Sequence, residues 1–185
     1  MKTPGVYIVE KSAFPNSVVE APTAIPAFIG ITEKAVNGAD TLSGKPWKIT
    51  SMTEFQQYFG GAPAPEFRLS VVDYPEKDAS KTFYGIPSPD KSKLLRVEAP
   101  EVTFSLYYQM VMFFANGGGT CYIVSAGTYD QKSLIDKEKV VAALTALKKE
   151  QEITMVLVPE AVSVDECKDI QTQVLAHCGE MMNRF

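Results

Sequence analysis

The second half of the chain alternates between strand-like and helix-like segments, and this alternation most limits the possible folds. Residues 120–125 and 153–158 are short apolar runs rich in β-branched side chains, as in buried strands. Between them, residues 133–149 carry apolar side chains at helical spacing, and a second helical segment follows the later strand. A β-α-β-α order implies right-handed crossovers between parallel strands. We therefore predict an α/β fold with a parallel or mixed sheet flanked by helices.

These segments also predict which faces are buried. The run 153–158 (ITMVLV) is apolar throughout, which predicts a parallel strand covered on both faces. The helix 133–149 is predicted to bury one face, formed by Val140, Ala143, Leu144 and Leu147. Ser163 and Glu166 have capping-box spacing, which predicts the start of the last helix. Its predicted apolar stripe is Cys167, Ile170, Val174, Cys178 and Met181.

Earlier in the chain, residues 27–31 (AFIGI) predict another buried strand. Ser51 and Glu54 form a second capping-box pattern, which predicts a helix that ends at Gly60 and Gly61. The Ser51 oxygen and the Glu54 carboxylate can accept hydrogen bonds from the exposed N–H groups at the start of this helix. These elements add a strand and a helix to the predicted α/β core.

The segment 101–115 follows Pro100 and is apolar on nearly every face. It predicts a helix buried on more than one side. Asn116 and Gly117 then predict a left-handed C-cap.

Two regions differ from this core. Residues 1–25 contain the short strand-like run VYIV on a proline-rich tether and are interpreted as an N-terminal arm. Residues 62–100 contain six of the twelve prolines, with mixed charge and little periodicity, and predict a surface insertion. The domain prediction is therefore an arm over 1–25 and an α/β core over 26–185 that includes the insertion.

The arm has two open interpretations. A tethered strand leaves its N–H and C=O groups unpaired and can add to the sheet edge of a neighbouring molecule. It can equally be an edge strand of its own domain. The candidate interaction residues are Pro4, Gly5, Val6, Tyr7, Ile8, Val9 and Glu10.

Charge and composition argue against several classes of protein. The net charge is −4 and no basic block is present, so no nucleic-acid partner is expected. The apolar run 110–115 is too short to cross a bilayer, and the N-terminus has no apolar signal-peptide segment, so no direct membrane insertion is expected. Three unpaired cysteines favour a reducing compartment.

The glycines at 117–119 raise the possibility of a phosphate-binding loop. Such loops run strand, glycine-rich turn, helix, so that helix N–H groups point at the phosphate. Here the order is helix, glycines, strand, and no GK[ST] follows. A C-cap and a tight turn are therefore the favoured interpretation.

His177 and Cys178 are adjacent, which raises the possibility of a catalytic dyad or a metal site. Adjacent helical residues point about 100° apart, so these two cannot easily face each other. Zinc needs about four ligands, and no C-x-x-C spacing exists. Cys167 and Cys178 are interpreted as core residues on the apolar stripe. No catalytic, cofactor-binding or metal residue is predicted, and no cofactor is expected.

Glu160 directly follows the strand ITMVLVP, at the end of a parallel strand where α/β active sites form. It can be a functional carboxylate, and its simpler interpretation is a turn or helix-start residue. It supports the alternative hypothesis of a small α/β ligand-binding or enzymatic domain, with its site near residues 125–128 and 159–160.

Several motifs, in order along the chain, resemble the contractile tail sheath proteins. KTPGVYIVE resembles the family's N-terminal motif, and AFIGITEK its early strand. ITSMTEFQQYFGG and FFANGGGTCYIV resemble a helix-start segment and a helix-to-strand junction of that family. LVPE and LAHCGEMMNRF resemble later motifs. The match is interrupted only by residues 62–100, and it identifies the chain as similar to the N-terminal portion of a sheath subunit.

The resemblance implies a structural protein and not an enzyme. Sheath subunits polymerise helically around an inner tube, join neighbours by strand addition from their arms, and contract to drive the tube through a target envelope. The implied partners are other sheath subunits, the inner tube protein, and baseplate and terminator proteins. Assembly would take place in the bacterial cytoplasm, and the product would be a phage tail or another contractile particle. The resemblance also implies a further C-terminal domain. Separately, a β-α-β-α unit is expected to continue into another strand, and Arg184-Phe185 is interpreted as its first residues.

Overall fold

The computed structural model of the protein describes residues 24–75, 84–98, 100, 104–129 and 135–185. Over these residues the fold is α/β: a mixed four-stranded sheet is flanked by four α-helices. The predicted fold class is therefore confirmed. The candidate arm residues, Pro4 to Glu10, lie outside the described part of the chain.

The strands are β1 (Pro26–Thr32), β2 (Val36–Asn37), β3 (Asp40–Thr41), β4 (Trp47–Ile49), β5 (Arg68–Asp73), β6 (Tyr84–Pro87), β7 (Lys93–Glu98), β8 (Cys121–Thr128) and β9 (Met155–Leu157). The helices are α1 (Met52–Phe59), α2 (Leu106–Ala115), α3 (Lys137–Leu147) and α4 (Cys167–Met181), and a 3₁₀ helix, Pro159–Ser163, precedes α4. The main sheet has the order β4-β8-β1-β9. Strand β1 is parallel to β8 and β9, and β4 is antiparallel to β8. Strands β5, β7 and β6 form a separate antiparallel sheet, and β2 and β3 pair with each other.

The alternation of side chains along β1 builds a core on each face of the main sheet. Phe28 packs in a buried cluster with residues of α1 and α2. Its neighbours Ala27 and Ile29 pack on the other face with α3 and α4. Every residue of β1 is buried, as predicted for residues 27–31. Helix α3 buries the four predicted residues, Val140, Ala143, Leu144 and Leu147, although it is shorter than the predicted 133–149.

The first predicted capping box is present at the start of α1. Ser51 Oγ accepts a hydrogen bond from the N–H of Glu54 at 3.2 Å. The Glu54 carboxylate reaches back to the N–H of Thr50 at 2.6 Å, one residue before the usual partner. The helix ends at Gly60, as predicted.

The prediction for the 101–115 helix is wrong in two respects. The helix begins at Leu106, and Phe104 and Ser105 precede it without helical structure. Only one face is buried, through Leu106 and Met110, whereas Met112 is 62% exposed. Among the described residues, α2 packs against β1, α1 and the 3₁₀ helix. Apolar side chains elsewhere on the helix, such as Met112, therefore stay exposed.

The second predicted capping box does not form. Ser163 ends the 3₁₀ helix, and α4 begins at Cys167 without a side-chain cap. The Glu166 carboxylate instead accepts the N–H of Lys137, the first residue of α3, at 3.0 Å. Tertiary contact between the starts of two helices has replaced the local bond.

Strand β9 is not covered on both faces, contrary to the prediction. It is the last strand on its side of the main sheet, and Leu157 is 38% exposed. Its outer edge is hydrogen-bonded to Phe185: the Phe185 N–H donates to the Thr154 carbonyl, and the Val156 N–H donates to the Phe185 carbonyl, both at 2.9 Å. This is the bonding pattern of a parallel ladder.

Candidate functional site

The carboxyl ends of the parallel strands are the place where a ligand site would be expected in an α/β sheet. Here Thr32, the last residue of β1, and Ser125 of β8 are both fully buried. Their hydroxyl oxygens lie 2.7 Å apart, and Ser125 Oγ also donates to the Gly127 carbonyl at 3.0 Å. The side chains at this end of the strands are therefore bonded to one another.

Glu160 is the most unusual residue at this end of the sheet. It is 4% exposed and lies in the 3₁₀ helix after β9. One carboxylate oxygen, Oε2, accepts the N–H of Ile31 at 2.8 Å. The other, Oε1, accepts the N–H groups of Ser105 and Leu106 at 3.1 and 3.3 Å. The carboxylate thus joins β1 to the N-terminus of α2.

This arrangement explains two local irregularities. The pairing of β1 with β8 shifts register between Gly30 and Ile31, and the Ile31 N–H is the group that Glu160 binds. Ser105, at the N-cap of α2, makes no side-chain cap bond, and its hydroxyl has no hydrogen-bond partner among the described residues. Glu160 therefore acts as a long-range cap for a helix that lacks a local one.

The protonation of Glu160 is governed by two opposing effects. Burial raises the pKa of the carboxyl above its ordinary value, and the three backbone N–H donors act in the opposite direction. A raised pKa in a buried carboxyl is also seen in general acids and bases. Here both oxygens are already bonded to the backbone, which supports the structural interpretation of Glu160.

The glycines at 117–119 end a helix, as predicted. Gly117 has a φ of 83°, the left-handed conformation that favours glycine. The Gly118 N–H donates to the Phe113 carbonyl at 2.9 Å, and the Gly117 N–H donates to the Phe114 carbonyl at 3.1 Å. These two bonds form a Schellman motif. The loop therefore lies at the negative end of the dipole of α2.

His177 and Cys178 are both buried, but they do not form a pair. The nearest polar contact of His177 is Arg184, whose Nη1 lies 3.3 Å from the ring Nε2. Burial raises the pKa of the Cys178 thiol. Cys167 is only half-buried, so it contributes less to the core than predicted. Within the described ranges, no three His, Cys, Asp or Glu side chains are grouped so that they could hold a metal ion.

The three-stranded sheet presents an exposed apolar surface that the sequence analysis did not predict. In an antiparallel ladder, directly paired residues point to the same side. The pairs Leu69–Val97, Val71–Leu95, Tyr84–Val97 and Ile86–Leu95 therefore share one face, which also carries the exposed ion pair between Asp73 and Lys93 at one end. We call these six apolar residues the apolar sheet face. Leu69 and Val71 are each 67% exposed, and Tyr84 is 61% exposed.

The opposite face of this sheet is more polar. Arg96 forms an ion pair with Glu98 and donates to Ser70 Oγ at 3.2 Å, and Leu94 is buried. A sheet with one face in water normally has its polar side chains on that face. In this sheet Leu69, Val71 and Tyr84 are exposed whereas Leu94 on the other face is buried, and an exposed apolar surface is a feature of sites that contact other molecules. The alternation of Leu69 with Val71, and of Leu95 with Val97, is the signal in the sequence that could have predicted it.

No family model and no curated protein sequence matches this chain. In the part of the chain that the structure describes, no helix is long and apolar enough to cross a membrane. Fold and surface together define an α/β domain with an exposed apolar sheet face.

Proposed function

We propose that the chain is a structural subunit of a contractile tail sheath, which polymerises helically around an inner tube and contracts to drive it through a target envelope. The observation that carries this proposal is the apolar sheet face. A subunit that polymerises needs surfaces that are apolar and exposed before assembly and buried after it. The ordered motifs that resemble sheath proteins point to the same class.

The motifs that carry the resemblance also have a clear structural role. ITSMTEFQQYFGG forms the end of β4, the cap of α1 and the turn that follows. FFANGGGTCYIV forms the end of α2, its Schellman motif and the start of β8. Each motif therefore specifies a junction between two core elements, which supports a resemblance in fold. The motifs support the fold, and the sheath function is our proposal.

Strand addition is the proposed way in which subunits join. Among the described residues, the main sheet ends at β4 on one side and at β9, which pairs with Phe185, on the other. An edge strand such as β4 can accept a further strand. We propose that the arm residues Pro4 to Glu10 of one subunit add to a sheet edge of its neighbour. The apolar sheet face would then supply a second contact, so that several weak contacts act together.

The test is negative-stain electron microscopy of the full-length gene product expressed alone, beside a variant of it that lacks residues 1–10. We expect tubes or stacked rings from the unaltered protein. The deletion is expected to abolish them and to leave the circular dichroism spectrum and melting temperature unchanged, because the deleted residues precede the core strand β1. Tubes of normal length from the deletion variant would contradict the arm's role. Monodisperse particles from the unaltered protein would contradict self-assembly.

A further inference from the structure

The sheet of β5, β7 and β6 differs sharply between its two faces. On one face Leu94 is buried, and Arg96 is paired with Glu98. The other is the apolar sheet face, where Leu69 and Val71 are each 67% exposed. Among the described residues, no element outside these three strands packs extensively on them. The apolar sheet face therefore lacks a covering layer from the described part of the chain.

This face has the form of one half of a two-layer structure. Its six side chains form two rows across the three strands, Val71–Leu95–Ile86 and Leu69–Val97–Tyr84. No charged side chain interrupts either row. A sheet with one apolar face is stable when that face packs against another sheet or a helix. We therefore expect it to be covered by a second apolar surface of similar width.

The same face of a second copy of this chain meets that requirement. Strands in proteins share one hand of twist, and two such sheets pack face to face about 10 Å apart with their strands about 30° apart. Two copies of this face are therefore matched in width, twist and apolar character. A contact between identical patches has two-fold symmetry and closes at two copies.

The charges on this side of the sheet are compatible with such a contact. Asp73 and Lys93 lie at one end of the face and form an ion pair within one molecule at 2.6 Å. Their side chains are 86% and 56% exposed. They can stay in water at the edge of the contact, so that no charge needs to be buried. An apolar centre with a polar rim is the usual arrangement of a protein interface.

The size of the face predicts a weak contact. A stable interface has about 20–30 residues on each side. The apolar sheet face has six. We therefore expect a dissociation constant between the micromolar and the millimolar range, as for interfaces smaller than the standard size.

We propose that two copies of the free protein pack their apolar sheet faces together about a two-fold axis and form a weak, closed dimer. The dimer itself does not depend on the sheath function. A two-fold contact cannot continue into a helix, so it differs from a contact that builds a tube. Its role in assembly rests on the proposed function: the dimer covers the face of the free subunit, and the face is released for a different contact when a tube forms.

The test is sedimentation velocity and nuclear magnetic resonance of the 185-residue chain from about 10 μM to about 1 mM, the range that brackets a weak contact. We expect the sedimentation coefficient to rise toward that of a dimer. The amide signals of Leu69, Val71 and Leu95 should shift with the same concentration dependence, and those of β1 should not. Sodium sulfate should strengthen the dimer, because it favours apolar burial. A variant that lacks residues 1–10 should dimerise equally, which separates this contact from the arm.

Charged variants at the centre of the face test the symmetry. Leu95 lies on the central strand β7, so in a two-fold dimer it lies near its own counterpart. Leu95→Lys and Leu95→Glu should each lose the dimer, because like charges would meet in a desolvated contact. A 1:1 mixture of the two should associate at least about tenfold more tightly than either alone. Leu175→Lys on α4 is the control and should dimerise normally.

A milder variant covers the case in which a charge at residue 95 unfolds the sheet. Val71→Thr keeps the side-chain shape and suits a strand. Because a two-fold contact contains the changed residue twice, we expect the dimer to weaken about tenfold. Circular dichroism checks that each variant is folded.

Three results would overturn the proposal. The chain could stay monomeric over the whole concentration range, or it could dimerise with signal changes away from the apolar sheet face. The mixture of Leu95→Lys and Leu95→Glu could also fail to associate although both are folded. A monomeric chain whose full-length gene product forms tubes would contradict the dimer and not the sheath function. A dimer without tubes from the full-length gene product would do the reverse.

Discussion

Glu160 binds the N–H of Leu106, 54 residues away in the sequence, and so caps a helix from a distant segment at the carboxyl end of the sheet. Its other oxygen binds the N–H of Ile31. Glu160→Ala leaves three backbone N–H groups without their acceptor, and buried unsatisfied groups cost about 1–3 kcal/mol each. We expect the free energy of unfolding in urea to fall by at least about 3 kcal/mol.

The matched control is Glu166→Ala, which removes a single exposed bond to the N–H of Lys137. We expect it to cost less than about 1 kcal/mol. If the two variants lost equal amounts of unfolding free energy, water would replace Glu160 as the acceptor at the start of α2.

Gly30→Ala tests the close packing between β1 and α2. A Cβ atom at Gly30 would lie 3.0 Å from the Leu106 side chain and 3.2 Å from Glu160 Oε2. We expect this overpacking to lower the free energy of unfolding by about 1–3 kcal/mol. Gly119→Ala is the control, because a Cβ at Gly119 meets nothing within 4 Å. An unchanged stability of Gly30→Ala would mean that α2 can shift away from the sheet at little cost.

The buried, neutral His177 predicts a loss of stability in mild acid. Its pKa is lowered in the folded protein, so below an unfolded value of about 6.5 the unfolded chain binds the proton more tightly. The contribution is therefore present above about pH 6.5 and is lost as the pH falls toward the folded pKa, with a slope of at most about 1.4 kcal/mol per pH unit. The measurement is urea unfolding of the unaltered protein and His177→Gln across this range. If the difference in unfolding free energy between these two proteins did not change with pH, this prediction would be wrong.

Leu69→Lys tests the role of the apolar sheet face. A charged side chain in a desolvated contact is strongly unfavourable, so we expect the variant to fold normally and to lose tube formation. Leu175→Lys is a matched control on α4, because Leu175 is 71% exposed and Leu69 is 67% exposed. Sedimentation velocity and electron microscopy compare the two. Tubes from both variants would show that the apolar sheet face is not a subunit contact.

Nucleotides and phosphorylated metabolites test the alternative of a ligand-binding or enzymatic domain. A ligand that binds the folded state raises the melting temperature in proportion to its occupancy. We expect no concentration-dependent rise, since Glu160, Thr32 and Ser125 at the carboxyl ends of the strands are bonded within the protein. A saturable rise with any of these compounds would favour the alternative.

The sequence by itself determined the elements whose signals are local. The apolar run at residues 27–31 predicted β1, Ser51 with Glu54 predicted the start of α1, and Gly117 predicted the end of α2, because propensity and capping act within a few residues. These signals were enough to predict the α/β class.

Only the tertiary structure decided the features that depend on distant partners. Glu166 binds the first N–H of α3 and does not cap its own helix, and Glu160 caps α2. Strand β9 lies at an edge where it is not covered on both faces. No local pattern records which segment will supply a hydrogen bond or a covering layer. The same reason explains the apolar face of β5, β7 and β6: alternation in the sequence separates two faces, and only the assembled fold decides which of them meets water.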